Sequence, residues 1–93
     1  MENTKIMSSD GFMQKCKEVI VDYFNNRSDK TDKFTITTDD VYVVWYAKEL
    51  QNHKALLSTT VSDGMYYELT YNGDKNEIYM DAYKKWENKK IEL

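Results

Sequence analysis

Apolar residues recur at three- and four-residue spacing from Phe12 through Cys16, Val19, Ile20, Tyr23 and Phe24. That spacing puts them on one stripe of a helix. Gln14, Lys15, Lys17, Glu18 and Asp22 fall largely on the other side, so the pattern predicts a surface helix of about four turns with one buried face. Ser9 or Asp10 can cap its start by accepting orphan backbone N–H groups. Asn25 and Asn26 can end it, because asparagine tolerates the left-handed conformation. Residues 1–8 read as a frayed start, and 27–33, RSDKTDK, as a solvated loop with no apolar member.

Beyond that loop the period changes. Phe34-Thr-Ile36-Thr alternates as a short strand does, and Thr38, Asp39 and Asp40 break it. Val41–Leu50, VYVVWYAKEL, is β-branched and aromatic and predicts a first long strand. A turn at 51–53 leads to a second, KALLSTTV over 54–61. Ser62-Asp63-Gly64 is a three-residue hairpin loop with glycine available for a left-handed position. Met65–Tyr71 is the next strand, and Asn72-Gly73-Asp74-Lys75 closes a further hairpin into 77–84.

A two-residue Asn-Gly turn would set Glu68 opposite Glu77, a like-charge pair. A four-residue loop is therefore preferred, with Leu69 opposite Ile78, Tyr67 opposite Met80 and Glu68 against Tyr79. Either register keeps Met65, Tyr67 and Leu69 on one face with Ile78, Met80 and Ala82. A helical reading of 77–90 competes, since Ile78, Ala82 and Trp86 also share a helical stripe and Asp74 with Glu77 has capping-box spacing. Strand is the preferred reading, with Trp86 packing back on the core and residues 88–93 frayed.

The predicted fold is α+β, an N-terminal amphipathic helix on an antiparallel meander of about four strands. It forms one small domain over 1–93. The helix covers a face carrying Ala55, Leu57, Met65, Tyr67, Leu69, Ile78, Met80 and Ala82. The facing of the first strand depends on its turn, since a two- or three-residue turn at 51–53 flips it; the three-residue version turns Val41, Val43, Trp45 and Ala47 inward, the more apolar choice. The opposite face then shows Tyr42, Tyr46, Lys48, Tyr66, Glu68, Tyr79, Asp81 and Tyr83. Tyrosine combines a large contact area with a polar tip, and so favours interfaces. Tyr42, Tyr46, Tyr66, Tyr79 and Tyr83 are accordingly the candidate partner-binding residues. Cross-strand pairing on a solvated face is the plainer explanation of the same rings.

Composition narrows the classes of function. A net charge of −3 argues against a generic binder of nucleic-acid backbone. Hydrophobic residues make up 41%, too many for a disordered chain. With one cysteine, Cys16, no internal disulfide can form. No apolar run approaches a membrane span and no signal-peptide core is evident, so a cytoplasmic, non-membrane protein is expected.

Catalytic constellations are not apparent. Cys16 lies on the apolar stripe and reads as a small buried hydrophobe. His53, placed in a turn without a cysteine or second histidine near it, reads as structural or exposed rather than as a metal ligand. Asn72, Asp74 and Asn76 open like a calcium loop, but Glu77 occupies the glycine position and Tyr83 the bidentate carboxylate position. Asp39-Asp40 is explained by capping and solvation. Lys84-Lys85 and Lys89-Lys90 around Trp86 weakly resemble a single-strand-binding pattern, diluted by Asp81, Glu87 and Glu92. No enzyme, metal or cofactor is expected.

The blocks YVVWYAKELQNHKALLSTT, DGMYYELTYNGDKNE and YMDAYKKWEN resemble short proteins of unknown function encoded by phages and prophages of Gram-positive bacteria. The resemblance covers about Asp39–Asn88, and LQNHKAL and TYNGDK carry it best. The helix is similar in character only. It implies a context and no residue roles: a phage-derived product in the host cytoplasm, binding a host or anti-phage defence protein without catalysis. A homo-oligomer is possible on the same reading. A small-ligand or nucleotide-sequestering protein is the alternative, and a single-strand nucleic-acid binder a more distant one.

Overall fold

The computed structural model describes residues 7–27 and 35–93. One helix, α1 (Ser9–Asn25), lies on a four-stranded antiparallel sheet of β1 (Val41–Glu49), β2 (Asn52–Thr59), β3 (Met65–Asn72) and β4 (Glu77–Lys84). Strand order along the sheet is chain order, so the α+β meander read from the sequence is the fold. The segment 77–84 is strand, and its helical alternative falls away.

α1 buries Phe12, Cys16, Ile20 and Phe24, a strict four-residue spacing on one stripe. Val19 is half-buried beside it and Tyr23 is 38% exposed at its margin. The cap is one residue earlier than expected: Ser8, whose Oγ accepts from the Gly11 amide at 3.0 Å. Met7 and Ser8, expected to belong to a frayed start, are thus engaged, while residues 1–6 lie outside the described residues. At the other end Asn26 keeps φ −108°, so no left-handed cap forms.

Asn25 does different work. Its side chain accepts from the Ile36 amide (2.9 Å) and donates to the Ile36 carbonyl (3.0 Å), as a neighbouring strand would. This is why 35–37 is not a strand: its central residue is already satisfied, and the chain passes into a single 3-10 turn, Thr38–Asp40. Phe34, and the expected loop apart from Arg27, lie outside the described residues.

Three hairpins set the faces. β1 and β2 are joined by Leu50 and Gln51, with Leu50 at φ 57°, a left-handed position that costs a non-glycine residue about 1 kcal/mol. β2 and β3 are joined by residues 60–64 rather than 62–64, and Gly64 takes the left-handed φ of 73°. β3 and β4 are joined by four residues, 73–76, one position later than NGDK. The register therefore differs from the expected one by two residues, and Leu69 faces Met80 while Tyr67 faces Ala82. A two-residue slip preserves faces, so the inward set holds for β2, β3 and β4. It also sets Glu68 opposite Asp81, a like-charge pair of the kind the preferred register would have avoided; Lys54 Nζ lies 3.5 Å from Glu68 Oε2 and offsets it.

The first strand departs further. Val43 pairs with Leu57, but Trp45 pairs with Leu56, so Val44 is an extra residue, a β-bulge. Val41 and Val43 point inward as expected. Past the bulge every side chain changes face: Trp45 and Ala47 turn outward and Tyr46 turns toward the helix. Tyr46 is therefore removed from the candidate outer set. The tips of the first and third hairpins also meet. Gln51 bonds Asp74, the Gly73 amide donates to Asn52 Oδ1 at 2.9 Å, and a Cβ on Gly73 would lie 2.4 Å from the Gln51 carbonyl oxygen. Glycine is required there by the close approach.

Candidate functional site

Among the described residues the sheet has one covered and one open face. On the open face, cross-strand rows run Tyr42–Ser58–Tyr66–Tyr83, then Trp45–Leu56–Glu68–Asp81, then Ala47–Lys54–Thr70–Tyr79. Of the five candidate tyrosines, four stand there together. Trp45, expected inside, joins them at 40% exposure. Alternation placed the tyrosines; the bulge that adds Trp45 left no mark, because VYVVWY is apolar on both parities.

The open face is acidic as well as aromatic. Glu49, Glu68, Glu77 and Asp81 project from it and Lys54 is the basic residue among the rows. Two of the phenols feel these carboxylates. Tyr83 is raised above its ordinary pKa chiefly by the charge of Glu68, then by Asp81. Tyr79 is raised by its hydrogen bond to Glu77 and by that carboxylate's charge. A shallow depression of about 420 Å³ lies at the Tyr66–Tyr83 end, framed by Leu56, Lys84 and Lys85.

The covered face holds the buried His53, Cys16 and Tyr67. His53 is not in a turn but on β2, 1% exposed, stacked on Phe12 with ring centroids 5.0 Å apart. Its Nε2 lies 2.8 Å from the Met7 carbonyl, which can only accept, so Nε2 carries the proton. In the neutral ring Nδ1 must then accept, from the Tyr46 hydroxyl at 2.5 Å. That hydroxyl in turn accepts from Ser9 Oγ at 2.7 Å. One directed chain thus ties the start of α1 to β1 and β2. Near the opposite end Tyr67 is buried against Tyr23; its phenol is raised by burial first and by Asp63 next, with Arg27 pulling the other way.

Cys16 is fully buried, and burial pushes its thiol from 9.0 up to about 12. A thiol held neutral in the folded chain and free to ionise in the unfolded one makes stability fall as pH rises from about 9 toward 12. Chemical denaturation at pH 8 and pH 10.5 will show a lower midpoint at the higher pH, and Cys16→Ala will shrink that difference. Equal pH sensitivity in the variant would remove Cys16 as its source.

The calcium-like spacing in the third hairpin is a turn. Asn72 Oδ1 accepts from the Asp74 and Lys75 amides, Asp74 bonds Gln51, and Asn76 Oδ1 accepts from the Tyr71 hydroxyl. Asn76 occupies the left-handed position at φ 54°. Among the described residues no three His, Cys, Asp or Glu side chains are grouped to hold a metal, and no helix is long and apolar enough to cross a membrane. Trp86, expected to pack on the core, is 92% exposed, because β4 carries the chain straight past the end of the sheet.

Comparison with curated proteins and with solved structures gives no match. A protein-family model described as a family of unknown function, DUF6275, matches residues 13–93, from within α1 to the end of the chain. The chain belongs to the DUF6275 family.

Proposed function

We propose that this protein is a non-enzymatic interaction module that docks on a partner protein through the open face of its sheet. The observation that carries the reading is the cluster of Tyr42, Trp45, Leu56, Tyr66 and Tyr83 on a face that no element covers among the described residues. Aromatic rings of this kind supply contact area with little rotamer entropy to lose. The carboxylates beside them favour a partner presenting arginine, lysine or other donors, and disfavour a phosphate backbone. The setting we propose is a phage- or prophage-derived product in the bacterial cytoplasm, acting on a host or defence protein; the resemblance of the three sequence blocks supports it.

Affinity capture from a bacterial host, followed by mass spectrometry and titration of the captured protein, tests this. The double substitution Tyr66→Ala with Tyr83→Ala is expected to weaken binding at least about thirtyfold, with an unchanged far-ultraviolet circular dichroism spectrum. Undiminished affinity would reject the open face. The second reading is a small-ligand site, favoured by the depression between Tyr66, Tyr83, Lys84 and Lys85. A thermal shift with a nucleotide panel would select it.

A further inference from the structure

The two edges of the sheet are built differently. The β1 edge carries the Val44 bulge, and the start of α1 is bonded to it through Ser9 and Tyr46. Bulges and covering elements are the usual protections of an edge against pairing with another chain. Among the described residues the β4 edge has neither. It runs eight residues in unbroken register with β3, without bulge or proline. Its helix-side residues are thinly covered: Ile78 and Met80 are half-buried and Ala82 is exposed.

The hydrogen-bond phase of that edge can be read. The Lys85 amide donates to the Gly64 carbonyl at 2.7 Å, in register with the β3–β4 ladder. Antiparallel alternation then directs the amides and carbonyls of Glu77, Tyr79, Asp81 and Tyr83 toward β3. Those of Ile78, Met80, Ala82 and Lys84 face the open edge. Beyond it the tail 85–93 leaves the sheet with Trp86 almost wholly in solvent.

We propose that the open β4 edge is a homodimer interface, in which two copies pair β4 with β4 antiparallel about a two-fold axis at Ala82 and make one eight-stranded sheet. Side-chain chemistry selects the axis. An axis at Asp81 would set that carboxylate against its own copy. An axis at Met80 sets Lys85 against the partner's Lys75 and Trp86 against the partner's Asp74. An axis at Ala82 sets Trp86 against the partner's Ile78, Lys84 against the partner's Met80 and Tyr83 against the partner's Asp81. Each indole then covers the exposed helix-side surface of the other copy's β4, and five residues per strand find edge hydrogen bonds. The like-charge opposition that remains, Glu87 with the partner's Glu77, falls at the exposed end of the ladder, where it costs little.

Sedimentation equilibrium of the full chain from about 1 to 300 μM tests this, because a dimer's population follows concentration by mass action. The wild-type chain is expected to approach twice the monomer mass. Ala82→Lys puts two ammonium groups face to face on the axis and is expected to stay monomeric throughout. Trp86→Ala is expected to raise the dissociation constant at least tenfold. Both side chains are solvent-exposed within one chain, so circular dichroism of the variants will match the wild type. A wild-type chain that remains monomeric at the top concentration overturns the proposal. So does a dimer that persists in Ala82→Lys but is lost in Tyr66→Ala with Tyr83→Ala, which would place self-association on the open face.

Discussion

Phe12→Ala will cost about 3–5 kcal/mol, roughly a fifth or more of the stability of a domain this size. The ring is fully buried at the meeting point of helix and sheet, with centroids 5.0 Å from His53, 6.0 Å from Tyr46 and 6.4 Å from Tyr71. Truncation removes the apolar transfer term and leaves a void under α1. The void cannot close, because His53 and Tyr46 are held by their own hydrogen bonds and Tyr71 by its bond to Asn76. Urea unfolding should show the loss directly, with a melting temperature lower by more than about 12 °C. Phe12→Leu retains most of the volume and should cost about 1–2 kcal/mol. A Phe12→Ala variant within 1 kcal/mol of the wild type, by the same order-of-magnitude scale, would show that this cluster is not the centre of the core.

The second large effect concerns the directed chain Ser9–Tyr46–His53–Met7. His53→Leu keeps the volume but strands the Tyr46 hydroxyl without its acceptor and the Met7 carbonyl without its donor, a loss of about 2–4 kcal/mol. Tyr46→Phe leaves Nδ1 without a donor and should cost about 1–2 kcal/mol. Together the two changes remove both ends of the same bond, so the double variant should be less damaged than the sum by about 1 kcal/mol or more. Strict additivity in the cycle would mean that the 2.5 Å contact contributes nothing beyond its parts.

Both effects centre on residues whose placement the sequence left uneven. Phe12 was legible: its stripe recurs through Cys16, Ile20 and Phe24, and only one face of a helix satisfies that spacing. The faces of β2, β3 and β4 were legible for the same reason, since alternation survives any even slip of register. The register itself was not. Moving both later hairpins by two residues changes every cross-strand partner and no face, and the energy that decides between them lies in turn geometry, in Asn76 adopting the left-handed position and in the contact of the first and third hairpin tips.

Tyr46 and His53 were illegible for different reasons: the Val44 bulge governs the first, and the two-residue turn of Leu50 and Gln51, which leaves His53 on β2 in phase with Ala55 and Leu57, governs the second. Without the Val44 bulge, a first strand that turns Val41 and Val43 inward leaves Tyr46 with the outer tyrosines. With it, Tyr46 crosses to the helix side and meets the His53 ring. The candidate surface was accordingly readable in its tyrosines and not in Trp45. Its acidity was readable residue by residue, but not as a face, because Glu49 joins Glu68, Glu77 and Asp81 only once the bulge has reversed the end of β1.

The identity of strand order and chain order also bears on how the fold is reached. Each ladder of the sheet closes a loop of only two to five residues, so the entropy lost in forming successive hairpins is small. The long connection belongs to the helix, whose last residue, Asn25, is separated from the start of β1 at Val41 by the chain that includes the Asn25–Ile36 clasp. On this topology the meander is expected to zipper locally and quickly, and the docking of α1 across it to be the slower, non-local step. The step that buries Phe12 and completes the histidine chain is also the one that turns a sheet open on both sides into a sheet with a single free face.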